Sequence, residues 1–112
     1  MTAEVTRRPR VEILYFEGCP NHEPTRALVD RVAAELGVEP EVELIEVSDT
    51  GAANRLRFLG SPTVRVNGRD VEPGGNERRD FAFSCRVYRR ERGSAGQPDE
   101  AWIRAALGRP RE

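Results

Sequence analysis

The chain predicts an α/β domain built on a mixed four-stranded sheet, in the order β-α-β, α, β-β-α, with helices on both faces. Three observations carry this. An apolar run on both strand faces precedes a strongly periodic helix, a second strand follows it, and an Asn-Gly hairpin lies further on. At 112 residues the length suits one domain with one modest core.

Residues 1–10 lack apolar periodicity and carry three arginines, so they are expected to form a disordered tail before a domain spanning 11–109. Val11 to Phe16 forms the first expected strand. Val11, Ile13 and Tyr15 point one way, and Leu14 and Phe16 the other. Pro24 fits a first helical turn, where its missing N–H is not needed. Leu28, Val29, Val32, Ala33 and Leu36 then form a helical stripe ended by Gly37.

Val42 to Val47 reads as a second strand, which a right-handed crossover makes parallel to the first. Ser48 and Asp49 suit a helix cap, and a short helix is expected through Leu56 and Phe58 to Gly60. Thr63 to Val66 is a third strand, and Asn67-Gly68 turns it into Arg69 to Val71. Residues 73–98 form an irregular insertion. Within it Phe81, Phe83, Cys85 and Val87 alternate with polar residues, as in an extended segment with its apolar face inward. Pro98-Asp99 caps a last helix carrying Trp102, Ile103, Ala106 and Leu107, stopped by Gly108 and Pro110, and 110–112 is a tail.

Composition narrows the function. Hydrophobic residues make up 38% and charged residues 33%, and the net charge of -1 offers no general attraction to nucleic acid or an anionic membrane. No apolar run approaches the roughly 20 residues of a spanning helix. The first ten residues lack the apolar core of a secretory signal, so a cytoplasmic location is expected. All 18 basic residues are arginine, which excludes a lysine Schiff base and a Walker-type lysine. With one histidine and scattered carboxylates such as Glu77 and Asp80, no hydrolase constellation forms.

Chemistry is expected at Cys19, placed at the exposed start of the first helix. Unpaired N–H groups and the helix dipole there favour a thiolate. A protonated His22 would add to this, and a nearby Glu17 carboxylate would oppose it. Pro62, in Ser61-Pro62-Thr63 at the entrance to the third strand, marks a strand start or a fixed turn, and a cis bond there would be a deliberate structural feature. The six arginines of 78–92 are expected to form a solvated face, or a basic collar that steadies a Cys85 thiolate or docks an acidic partner.

Gly18-Cys19-Pro20-Asn21-His22 between strand and helix, together with Ser61-Pro62-Thr63 before a hairpin, resembles the thioredoxin superfamily. The resemblance covers roughly 11–72 and 99–107, and the whole chain is similar to short bacterial thioredoxin-like proteins, some labelled alkylmercury-lyase-like. It implies a redox-active Cys19 facing a cis-proline loop. Pro20, His22, Ser61, Pro62 and Thr63 would then contact a protein or small-molecule thiol or disulfide partner. The chain departs from the family pattern in having His22 where a second cysteine would stand and Gly18 where tryptophan is frequent. Cys85 is left as the resolving thiol or as an inert apolar residue. The expected function is therefore thiol–disulfide exchange with Cys19 as the attacking nucleophile and Cys85 or an external thiol as the resolver, with no cofactor and no metal. The alternatives are a soft-metal binder using Cys19, Cys85 and His22, and a non-catalytic interaction module.

Overall fold

The computed structural model describes residues 8–90 and 93–108. Strand β1 (Arg10–Tyr15) lies inside a sheet with β2 (Glu41–Glu46), β3 (Thr63–Val66) and β4 (Arg69–Asp70), in the order β2-β1-β3-β4. β1 runs parallel to β2 and antiparallel to β3, and β3 is antiparallel to β4. The mixed sheet is therefore the expected one. β1 begins one residue earlier than expected, at Arg10, whose N–H donates to Asn67 Oδ1 at 2.9 Å. Residues 1–7 of the expected tail, and all of 110–112, lie outside the described residues.

Helices α1 (His22–Leu36) and α3 (Glu100–Leu107) cover one face and α2 (Thr50–Arg55) the other. The alternation along β1 decides this. Val11 and Ile13 join Val29, Val32, Ala33, Val64, Val66, Ile103 and Leu107 on one side. Leu14 joins Val47, Ala52, Ala53 and Phe58 on the other.

The helix ends follow local chemistry. Gly37, at φ 72°, closes α1 by donating to Ala34 O while Val38 N–H donates to Ala33 O. Asp49 caps α2 by accepting from Ala52 N–H at 2.8 Å, and Asp99 caps α3 by accepting from Ala101 N–H at 2.9 Å. The expected extension of α2 to Phe58 does not form. Arg57 adopts φ 56°, and Arg57 and Phe58 donate back to Asn54 and Ala53 in the same terminating pattern as Gly37. Arg65 on β3 then donates to the Leu56 and Arg57 carbonyls at 2.7 and 2.9 Å.

A surface ion network ties α1 to α3. Arg31 meets Glu35 and Glu100, at 3.1 and 2.8 Å, and Arg104 meets the same two carboxylates. Hydrogen bonds from Arg31 and then Arg104 pull the Glu100 carboxyl down from its ordinary 4.5 to about 2. A depressed carboxylate stabilises the fold above its unfolded value and loses that contribution as the pH falls. The melting-temperature gap between wild type and Glu100→Gln is therefore expected at neutral pH and low salt, and should close between about pH 4.5 and about 2. Thermal melts across that window check this.

Residues 73–98 contain a 3-10 turn (Gly75–Glu77) and an antiparallel hairpin of β5 (Tyr88–Arg90) and β6 (Gly93–Ala95). The expected alternation is reversed from Cys85 to Tyr88 and absent before it, where Phe81 and Ala82 are half-buried and Phe83 and Ser84 both exposed. Phe83 and Val87 are 42% and 63% exposed and Cys85 is exposed, while Arg86 and Tyr88 are buried. The buried face of this stretch is held by polar groups, which hydrophobic periodicity cannot detect.

Candidate functional site

The turn after β1 carries Cys19. Gly18, at φ 91°, supplies the left-handed conformation that an L side chain rarely adopts. The chain then folds back, with Cys19 N–H donating to Phe16 O at 3.2 Å. Asn21 occupies the α1 cap position without a side-chain capping bond, so Cys19 stands two residues ahead of the cap. Cys19 is 5% exposed, which corrects the expectation of an exposed thiol. The turn is read from the sequence, whereas the burial of Cys19 is seen only in the folded chain.

His22 is the first residue of α1 and is half-buried. Its ring stacks on Tyr15 with centroids 4.3 Å apart and an interplanar angle of 15°. Nδ1 lies 3.0 Å from the Cys19 carbonyl oxygen. A carbonyl only accepts, so Nδ1 carries the proton and donates. His22 thus pins the backbone of the cysteine turn. Pro20 is exposed beside it.

Facing this turn is the loop leading into β3, where the Ser61-Pro62 peptide bond is cis as expected. Ser61, Pro62 and Thr63 are all buried. Phe16 N–H donates to Ser61 Oγ at 3.4 Å, so Phe16 joins the loop to the cysteine turn. Thr63 Oγ1 donates to Gly60 O at 2.7 Å.

The insertion lies directly against this loop. Ser61 N–H donates to Ser84 O at 2.8 Å, and Arg86 N–H donates to Ser61 O at 3.0 Å. These bonds make a parallel bridge of Ser61 with Cys85. Phe83 packs on Phe16, centroids 5.3 Å apart. Cys19 is thus tied by its N–H to Phe16, and Cys85 by its bridge to Ser61, which accepts from Phe16. Both cysteines are free thiols.

Beneath Cys85 lies a group the sequence reading missed. Arg86, 2% exposed, donates through Nη1 to Asp70 Oδ2 and Thr63 Oγ1, at 2.8 and 3.0 Å. Nη2 donates to Asp70 Oδ1 at 3.0 Å and to Glu72 Oε1 at 2.6 Å. Burial alone would lower the Arg86 pKa, yet hydrogen bonds and charge from Asp70 and Glu72 raise it above the ordinary value. The guanidinium also lies over the Tyr88 ring, 4.3 Å from its centroid, and the Tyr88 hydroxyl donates to Pro62 O. Burial pushes the Tyr88 pKa up, so its proton stays in that bond.

The arginine-rich stretch is accordingly neither purely a solvated face nor purely a collar. Arg86 is an internal clamp, and Arg78 pairs with Glu72 and Asp80 nearer the surface. Arg92 lies outside the described residues. An Arg-x-Tyr after a cysteine, with Asp-x-Glu behind the hairpin, was the available signal, but spacing does not show that they converge.

Among the described residues, no group of three His, Cys, Asp or Glu could hold a metal ion, so Cys19, Cys85 and His22 are not gathered as a three-ligand set. No helix among them is long and apolar enough to cross a membrane. Comparisons of the chain with protein-family models, with curated proteins and with solved structures find no match.

Proposed function

We propose that this domain is a thioredoxin-like thiol–disulfide oxidoreductase whose redox pair is Cys19 and Cys85. The observation that carries the reading is the backbone bridge of Cys85 to Ser61, which sets a second cysteine beside the cis-proline loop although the helix motif has only one. The strand order β2-β1-β3-β4, and a cysteine turn opening α1 opposite that loop, support the fold assignment.

The contrast in exposure sets the order of events. Cys85 is exposed and meets the incoming sulfur, whereas Cys19 is buried and closes the pair. The Cys85 thiolate attacks a partner disulfide R–S–S–R, forming Cys85–S–S–R and releasing one thiolate. Cys19, as its thiolate, then attacks Cys85 Sγ and expels the second. The partner gains two electrons and becomes two thiols, which take the protons given up by the cysteines. The protein is left with a Cys19–Cys85 disulfide, which needs Cα atoms within about 7 Å. This order reverses the expected one, in which Cys19 attacks first and Cys85 resolves, because Cys19 is buried and Cys85 exposed; an external thiol returns the protein to the reduced state.

Mass spectrometry after incubating reduced protein with oxidised glutathione tests this. Wild type should give the internal disulfide, and Cys19→Ser a persistent glutathione adduct on Cys85. Cys85→Ser should react at Cys19 about tenfold more slowly than wild type reacts at Cys85, because access governs exchange. If Cys19→Ser or Cys85→Ser keeps wild-type turnover, the two-cysteine mechanism is wrong. If wild type forms neither adduct nor disulfide, the domain is a binding module.

A further inference from the structure

We infer that Arg86 is a positioning residue: its buried guanidinium sets the register of residues 84–88 on the cis-proline loop and so fixes where Cys85 stands. The backbone tie is slight. The Ser61–Cys85 bridge is isolated, held by the Ser61 and Arg86 N–H groups, with Ala82 N–H donating to Phe58 O at 2.9 Å upstream. Cys85 and Val87 are exposed and add little to hold that register; Phe83, 42% exposed, adds a partial contact on Phe16, and Tyr88 adds a buried hydroxyl bonded to Pro62 O.

A slip of two residues preserves which side chains face inward, but it carries Cys85 about 6–7 Å along the loop. Such a slip would put Ser84 or Tyr88 where Arg86 stands. Neither can offer a planar fork to Asp70, a third donor contact to Glu72 and a fourth to Thr63 at once. Net stability is a weak reason for such a group, because apolar residues of similar volume replace buried ion pairs at little cost. Register is the property they would not replace.

The redox part of this inference rests on the proposed Cys19–Cys85 pair; the register part does not. The variant to use is Arg86→Met combined with Asp70→Asn, which removes both charges and leaves no orphaned carboxylate. Arg86→Met alone serves as a second variant if it folds. Amide hydrogen exchange at Ser61 and Arg86 and the Cys19–Cys85 disulfide equilibrium in a glutathione buffer are both read on protein whose circular dichroism is native. Exchange at the two amides should rise roughly tenfold or more over that of β1 amides. The effective concentration of one thiol for the other should fall roughly tenfold. A purely stabilising arginine would lower the melting temperature and leave both readouts unchanged, and that result overturns the inference. If wild type forms no internal disulfide while the amides respond as expected, the register role stands and the oxidoreductase reading falls.

Discussion

Arg86→Met is expected to destabilise the domain by about 3–5 kcal/mol, the range for removing one member of a buried ion pair. The loss comes chiefly from what remains. The Asp70 carboxylate, 9% exposed, would lose the 2.8 and 3.0 Å bonds to the guanidinium and keep only the Glu72 N–H donor at 2.9 Å. Gly75 packs so closely under Asp70 that a Cβ there would lie 2.7 Å from Oδ1, so the carboxylate has little room to turn towards water. Glu72 fares better, because Arg78 stays within 3.1 Å. Adding Asp70→Asn should recover most of the loss, since a neutral amide still accepts from Glu72 N–H. Urea unfolding of the single and double variants measures this. A single variant costing under about 1 kcal/mol would mean that Asp70 escapes to solvent when its partner goes.

Gly60→Ala is the second large effect, expected at about 2–4 kcal/mol from overpacking added to an unfavourable backbone angle. Gly60 has φ 120°, and a Cβ on it would lie 2.8 Å from Arg86 Cβ, 3.0 Å from its Cα and 3.1 Å from its N. Arg86 cannot yield, because its N–H is bonded to Ser61 O and its guanidinium is clamped. Gly18→Ala is the control. It also has positive φ, at 91°, but nothing lies within 4 Å of its Cβ position, so it should lose only about 1 kcal/mol. Equal losses at the two positions, read from thermal melts, would show that close approach of the insertion to the loop is not what Gly60 serves.

Both substitutions act on the contact of the 84–88 stretch with the loop before β3, and this contact is where sequence reading stopped. The long helix, the hairpin and the capped last helix rest on interactions between residues near in sequence, and the central strand, though paired with distant strands, carries its apolar pattern locally. Periodicity, Asn67-Gly68, Gly37 and Asp99 therefore disclose them. The cis peptide bond at Pro62 was expected only through the family resemblance, since local preference by itself favours the trans form. Phe83, Cys85 and Val87 were misplaced because alternation marks two faces without saying which is covered. Here Arg86 and Tyr88 go inward: the Arg86 Nη1 and Nη2 atoms meet Asp70, Glu72 and Thr63 while its buried Nε has no hydrogen-bond partner among the described residues, and the Tyr88 hydroxyl meets the Pro62 carbonyl.

Sequence by itself determined the mixed α/β architecture, the cysteine at the turn into α1 and the proline turn into β3. Each follows from backbone preferences and apolar periods that operate within a few residues. Tertiary structure alone decided that Cys19 is buried, that Cys85 is exposed beside Ser61, and that one arginine of a charged run is internal. These depend on segments meeting across separations of more than twenty residues, as Ser61 with Cys85 and Thr63 with Arg86 do. A buried charge is tolerated only where its partners converge, and convergence is a property of the folded chain.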